Sequence, residues 1–116
     1  MRTEVSLHQI PRTPQLAGIV SRLEEKADRL LGRFGRGVES AEVTVRGGGD
    51  VTHGADLRCT VRVAMQRGRA VVVKATGATP AAAAAEALAR ARRTVAKRLD
   101  AVTSHANRAT LRRAAA

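Results

Sequence analysis

Apolar and polar residues alternate in several stretches of this chain and recur every third or fourth position in two others. Residues 3–10 form a short alternating run, with Val5 and Leu7 against Glu4, Ser6 and His8, and Pro11 closes it. Thr13-Pro14 then reads as a helix start, with Thr as N-cap and Pro at the first helical position. Leu16, Ile19, Val20, Leu23, Ala27, Leu30, Leu31 and Phe34 follow at helical spacing, an apolar stripe on a helix of about five turns. Arg22, Glu24, Glu25, Asp28, Arg29 and Arg33 make up its polar side, and Gly35 and Gly37 end it.

Period-two alternation returns at Val38–Arg46, with Ala41, Val43 and Val45 on one face and Glu42, Thr44 and Arg46 on the other. Gly47-Gly48-Gly49-Asp50 opens a flexible loop running to about Gly54. Asp56–Met65 is the clearest strand, with Leu57, Cys59, Val61, Val63 and Met65 inward and Arg58, Thr60 and Arg62 outward. Gln66-Arg67-Gly68-Arg69 predicts a hairpin turn, and Ala70–Thr76 the last strand. Thr79-Pro80 repeats the helix-start signature before an Ala-rich segment, and Ala is the strongest helix former. Its stripe is Ala81, Ala84, Leu88, Ala91, Val95, Leu99 and Val102. Residues 106–116 lack a convincing stripe and are expected to be a frayed basic tail behind a domain at 1–105. The fold class expected is α+β, ordered β-α-β-β-β-α. Its sheet would be a four-stranded antiparallel one with both helices on one face.

Charge changes the picture most. Residues 67–116 hold eleven Lys or Arg against Glu86 and Asp100, a balance of +9. Residues 1–66 hold ten basic and eight acidic residues, a balance of +2. A field that one-sided attracts a polyanion, and nucleic acid is the polyanion that fits. Phe34 is the only aromatic residue, so bases have no stacking platform. RNA would be gripped by phosphate and shape. No stretch is long and apolar enough to span a bilayer, and the N-terminus lacks a signal-peptide pattern. A cytoplasmic location without a membrane partner is expected.

With Leu88 at the centre of the second helix's buried stripe, Arg90, Arg93 and Lys97 fall at about 200°, 140° and 180° around the axis. They form one outward line spanning roughly 10 Å. Arg92 and Arg98 lie nearer the sides. Only Glu86, four residues before Arg90, offers the line an acid at i,i+4 spacing. Arg46, Arg58, Arg62 and Lys74 share the strand face opposite the expected core. They either bind an anion or simply solubilise that face. Arg67 and Arg69 sit at the hairpin turn. Catalysis has little support. His8, His53 and His105 show no metal-ligand spacing. Cys59 points inward from mid-strand and, being the single cysteine, has no disulfide partner. The triple glycine lacks the Lys-Ser/Thr of a phosphate-binding loop. No enzyme activity, small-molecule substrate, metal or other cofactor is expected.

Several of these features together resemble the short ribosome hibernation-promoting factors, also called ribosome-associated inhibitors or sigma-54 modulation proteins. The similarity covers about residues 3–101. It is carried by Arg29-Leu30-Leu31-Gly32-Arg33-Phe34 before a strand, and by a loop with Val51-Thr52-His53 leading to the strand Ala55–Val63. A hairpin follows, then Ala75-Thr76-Gly77 and an Ala-rich helix with basic residues at the places of Arg90, Arg93 and Lys97. Lys26 and Arg29 match basic positions of the family's first helix. Thr79-Pro80-Ala81-Ala82-Ala83 departs from the family's acid-apolar-Tyr opening, so the resemblance is to a divergent, short, single-domain member.

The resemblance implies a fold similar to a double-stranded-RNA-binding domain. It also implies binding to 16S rRNA of the small ribosomal subunit, in the mRNA and tRNA channel, with steric block of translation during stress. Arg90, Arg93, Lys97, Arg98, Lys26, Arg29, Arg62 and Lys74 are the expected contacts, in a protein that is monomeric off the ribosome. Two other readings stay open: a generic structured- or double-stranded-RNA binder, and a homodimerising interaction module using the open sheet face.

Overall fold

In a computed structural model, residues 1–8, 10, 14–47 and 57–115 are described, with side chains through 101. The elements are β1 (Arg2–His8), α1 (Leu16–Leu31), a 3-10 segment (Gly32–Gly37), β2 (Val38–Arg46), β3 (Leu57–Met65), β4 (Val71–Gly77) and α2 (Pro80–Ala115). The order is β-α-β-β-β-α in an α+β fold. Thr13 and the glycine-rich loop beyond Gly47 lie outside the described residues. Pro14 precedes α1, which begins at Leu16 with Gln15 as its N-cap and not at Pro14 as expected.

The strands pair in the order β1-β2-β3-β4. The expectation of a purely antiparallel sheet is corrected. β1 runs parallel to β2, with Val5 opposite Val43 and Leu7 opposite Val45. A helix between two neighbouring strands carries the chain back to its starting edge, and the second strand then runs in the same direction as the first. β2–β3 and β3–β4 are antiparallel.

Alternation fixes which face is dry. Val43, Val45, Cys59, Val61 and Val63 are fully buried, while Glu42, Arg46, Arg58, Arg62, Val72 and Lys74 are exposed on the opposite face. A register shift between Val38 and Ser40 lets Val38 join Ala41 in the core despite their odd spacing. No polar or charged residue is buried among those described. The core is aliphatic, with Phe34 half-buried at its margin.

The first helix is shorter than its stripe. The α-helical part stops at Leu31, and Phe34 is delivered to the core margin by the 3-10 segment. Gly35 turns there at φ +57°, a conformation costly for residues with a Cβ. Leu23, Ala27 and Leu31 are buried, with Ile19 and Leu30 packed beside them.

In the second helix Thr79 acts as expected: its Oγ1 accepts from the Ala82 N–H at 3.1 Å. Ala83, Ala84, Ala87, Leu88, Ala91 and Val95 are fully buried. Ala81, expected in the stripe, is exposed. Ala83 takes the inward place, because the start of α2 presses on the end of β4. A Cβ at Gly77 would lie 2.5 Å from the Ala83 nitrogen. This close approach of strand and helix backbones seats α2 and fixes which way its other residues point. The helix also continues through the segment expected to fray, as far as Ala115. Ala, Leu and Arg there sustain a helix by propensity rather than by an apolar stripe.

Candidate nucleic-acid interface

The buried alanines and Val95 turn one side of α2 to the sheet, so the positions between them face out. Arg90, Arg93 and Lys97 are all exposed, as the helical geometry predicts. They also converge: with Lys74, Val73 and Thr94 they line one depression of about 340 Å³ along the β4 side of the helix. Lys74 comes from β4, where alternation points it away from the core.

Arg90 is held in two ways. Its Nη1 donates to the Lys74 carbonyl at 3.0 Å. Its Nε donates to Glu86 Oε1 at 3.1 Å, with both side chains about half exposed, at 50% and 51%. Such an exposed pair contributes little to stability, but it orients the guanidinium. A guanidinium carries five N–H donors, so three remain for a partner. Glu86–Arg90 is the one ion pair among the described residues. Arg93 and Lys97 therefore face solvent without a carboxylate partner among them, and the row keeps most of its field.

The remaining expected contacts divide. Arg98 is half-buried and donates from Nη1 to the Arg69 carbonyl, so it ties α2 to the β3–β4 turn instead of joining the row. Arg62 lies on the open sheet face directly opposite Glu42, which offsets its charge. Lys26 is half-buried and Arg29 exposed on α1, and neither lines the depressions beside α2.

Arg33 takes the place expected of those two. With Phe34, Arg92, Arg93 and Ala96 it lines a second, smaller depression of about 180 Å³ on the other flank of α2. Its guanidinium sits 6.0 Å from the centroid of the Phe34 ring, at the outer limit of a cation–π contact. In the sequence 26, 29 and 33 share a helical face, but only packing brings Arg33, in the 3-10 segment after α1, beside Arg92 and Arg93.

A further depression, about 920 Å³, lies where the open sheet face meets the start of α2. It is lined by Thr44, Arg46, Arg58, Thr60, Lys74 and Thr76 from the strands, with Glu86 and Arg90 from the helix. Arg46 and Arg58 belonged to the outward strand pattern but not to the expected contacts.

Other chemistry finds little footing. Cys59 is fully buried, and burial pushes its thiol up from 9.0 to about 11, away from the reactive thiolate. His8 is exposed at the end of β1, while His53 and the His105 side chain lie outside the described residues. Among the described residues no three His, Cys, Asp or Glu side chains gather as metal ligands do. No described helix is long and apolar enough to cross a membrane. Comparison with protein-family models and with curated proteins gives no match.

Proposed function

We propose that this chain binds the small ribosomal subunit through 16S rRNA phosphates in the mRNA and tRNA channel and blocks translation sterically. One observation carries the RNA-binding part: Arg90, Arg93 and Lys97 stand exposed on one face of α2 and share a depression with Lys74, with Glu86 as the one carboxylate paired to any of them among the described residues. Spacing of roughly 10 Å from Arg90 to Lys97 suits successive phosphates of a backbone or the two sides of a groove. Contacts of this kind position a protein without reading sequence. Without an aromatic platform, shape and phosphate are what the surface can recognise.

The choice of the ribosome over other RNA is supported by the sequence landmarks around Phe34, Gly77 and the α2 cations, and by a β-α-β-β-β-α order in keeping with that resemblance. In this reading the protein is a non-catalytic, cytoplasmic plug, monomeric off the ribosome. A dimerising module is less well supported. The exposed large apolar side chains among the described residues are Met1 and Val72, too few to core an interface.

Sucrose-gradient sedimentation against purified small subunits tests the reading, with naked duplex RNA as competitor and a cell-free translation assay in parallel. The protein should travel with the small subunit and suppress translation. Equal affinity for duplex RNA would make it a generic structured-RNA binder. Migration with neither would end the proposal.

A further inference from the structure

Strand register gathers cations at one end of the open face. Arg46 lies directly opposite Arg58, and Arg58 opposite Thr76, while the neighbouring row runs Thr44, Thr60, Lys74. Directly opposed residues in an antiparallel pair stand about 4.5–5.5 Å apart at Cβ, and like charges so placed repel. Arg46 and Arg58 are both exposed, and neither is ion-paired to a carboxylate among the described residues. Among the described residues nothing offsets this repulsion. An anion lying between the two guanidinium groups turns the repulsion into a shared attraction.

The pair is also connected to the helix row. The depression that holds Arg46 and Arg58 and the one that holds Arg93 and Lys97 share two residues, Lys74 and Arg90. Together they make one trough that passes over β4. Arg46 and Arg58 line its sheet end, Arg93 and Lys97 its helix end, and Lys74 and Arg90 both. Thr44, Thr60 and Thr76 supply hydroxyl donors along the floor at the sheet end. The trough has an edge as well. One row further along the sheet, Glu4 faces Glu42 and Glu42 faces Arg62, so the surface there turns acidic or balanced.

We infer that the RNA backbone does not stop at α2 but continues over β4 onto the open sheet face, where Arg46 and Arg58 clasp a second run of phosphates. This rests on the RNA-binding reading above. A strand is favoured over a compact phosphate ligand because the cations are spread over two depressions joined at Lys74 and Arg90. Two strand spacings, about 10 Å, separate β2 from β4, and a further 10 Å or so runs along α2.

The test compares the parent with a double variant, Arg46→Gln with Arg58→Gln, which leaves the α2 row intact. Affinity for purified small ribosomal subunits is measured between 50 and 200 mM salt, and melting temperature is measured without RNA. The variant should bind at least tenfold more weakly at low salt. The slope of log K against log salt should shrink by about 1.4–1.8, the share of two phosphate contacts. Its melting temperature should hold or rise, because the repulsion is gone. Arg46→Lys with Arg58→Lys should keep the slope. An unchanged affinity and slope, under conditions where neutralising residues 90, 93 and 97 does weaken binding, overturns the inference and leaves the proposed function standing. A lower melting temperature with unchanged slope also overturns it. Failure of the parent itself to bind subunits removes the proposed function first.

Discussion

Gly77→Ala probes the contact that aims the whole cationic face. A Cβ at this position would lie 2.5 Å from the Ala83 nitrogen, 2.9 Å from its Cα and 3.0 Å from the Ala82 carbonyl carbon. All three are backbone atoms of the first turn of α2, so no side chain can swing aside. The Ala83 N–H donates to the Thr79 carbonyl at 3.0 Å, and the Ala82 N–H to the Thr79 hydroxyl at 3.1 Å. Relief of the clash requires the helix start to move by several tenths of an ångström, which strains both bonds.

Overpacking of this kind costs about 1–3 kcal/mol. Lower unfolded-state entropy returns about 0.4–1 kcal/mol. The net expected loss is about 1–2 kcal/mol, a fall in melting temperature of roughly 4–10 °C for a domain near this size. Gly18→Ala is the control. That glycine lies in α1 with no atom within 4 Å of its would-be Cβ, so the same substitution should stabilise by about 0.5–1 kcal/mol through helix propensity. Thermal and urea unfolding followed by helix circular dichroism reads both. The displacement should also weaken RNA binding, because Arg90 is anchored on the Lys74 carbonyl three residues before Gly77. If Gly77→Ala is as stable as the parent, α2 does not press on β4 as described, and the outward aim of Arg90, Arg93 and Lys97 loses its structural basis.

Three further outcomes follow from the same contacts. Cys59 ionises near 9 when unfolded but only near 11 in place, so the unfolded state loses its proton first as pH rises. Stability should be intact below pH 9 and fall by at most about 3 kcal/mol by pH 11, and Cys59→Ala should remove that slope in pH-dependent urea melts. Thr79→Ala should cost about 1 kcal/mol in the same melts by removing the cap on the Ala82 N–H. Glu86→Gln should change stability by only a few tenths of a kcal/mol. It should nevertheless tighten RNA binding in a filter or gradient assay, since the carboxylate competes with phosphate for Arg90.

The sheet was legible because its strands alternate without ambiguity. Val43, Val45, Cys59, Val61 and Val63 can share a dry face in only one register, and the arginines between them must then face out. The outward line on α2 was legible for a similar reason, since Leu88, Ala91 and Val95 fix the buried azimuth and Arg90, Arg93 and Lys97 follow. Strand direction was missed. Alternation is the same for a parallel and an antiparallel neighbour; the crossing of α1 was in the predicted order, but the pairing of β1 beside β2, which makes that crossing a parallel one, was not. Ala81 was misplaced because a run of alanines carries no azimuthal signal, and the close approach at Gly77 sets the rotation instead. Arg98 and Arg62 looked equivalent to their neighbours in sequence. What separates them is non-local: the Arg69 carbonyl at the hairpin and Glu42 across the strand. Arg33 was passed over because its partners, Arg92 and Arg93, lie about sixty residues away in sequence and meet it only through packing.

The salt dependence of binding to small ribosomal subunits, measured for the parent and for Arg90→Gln with Arg93→Gln and Lys97→Gln, tests the central claim most directly. The parent should lose affinity steeply between 50 and 200 mM salt, and the triple variant should bind more weakly with a log–log slope smaller by about 2–3. Parental affinity and slope in a correctly folded triple variant would contradict the assignment of α2 as the phosphate-binding face.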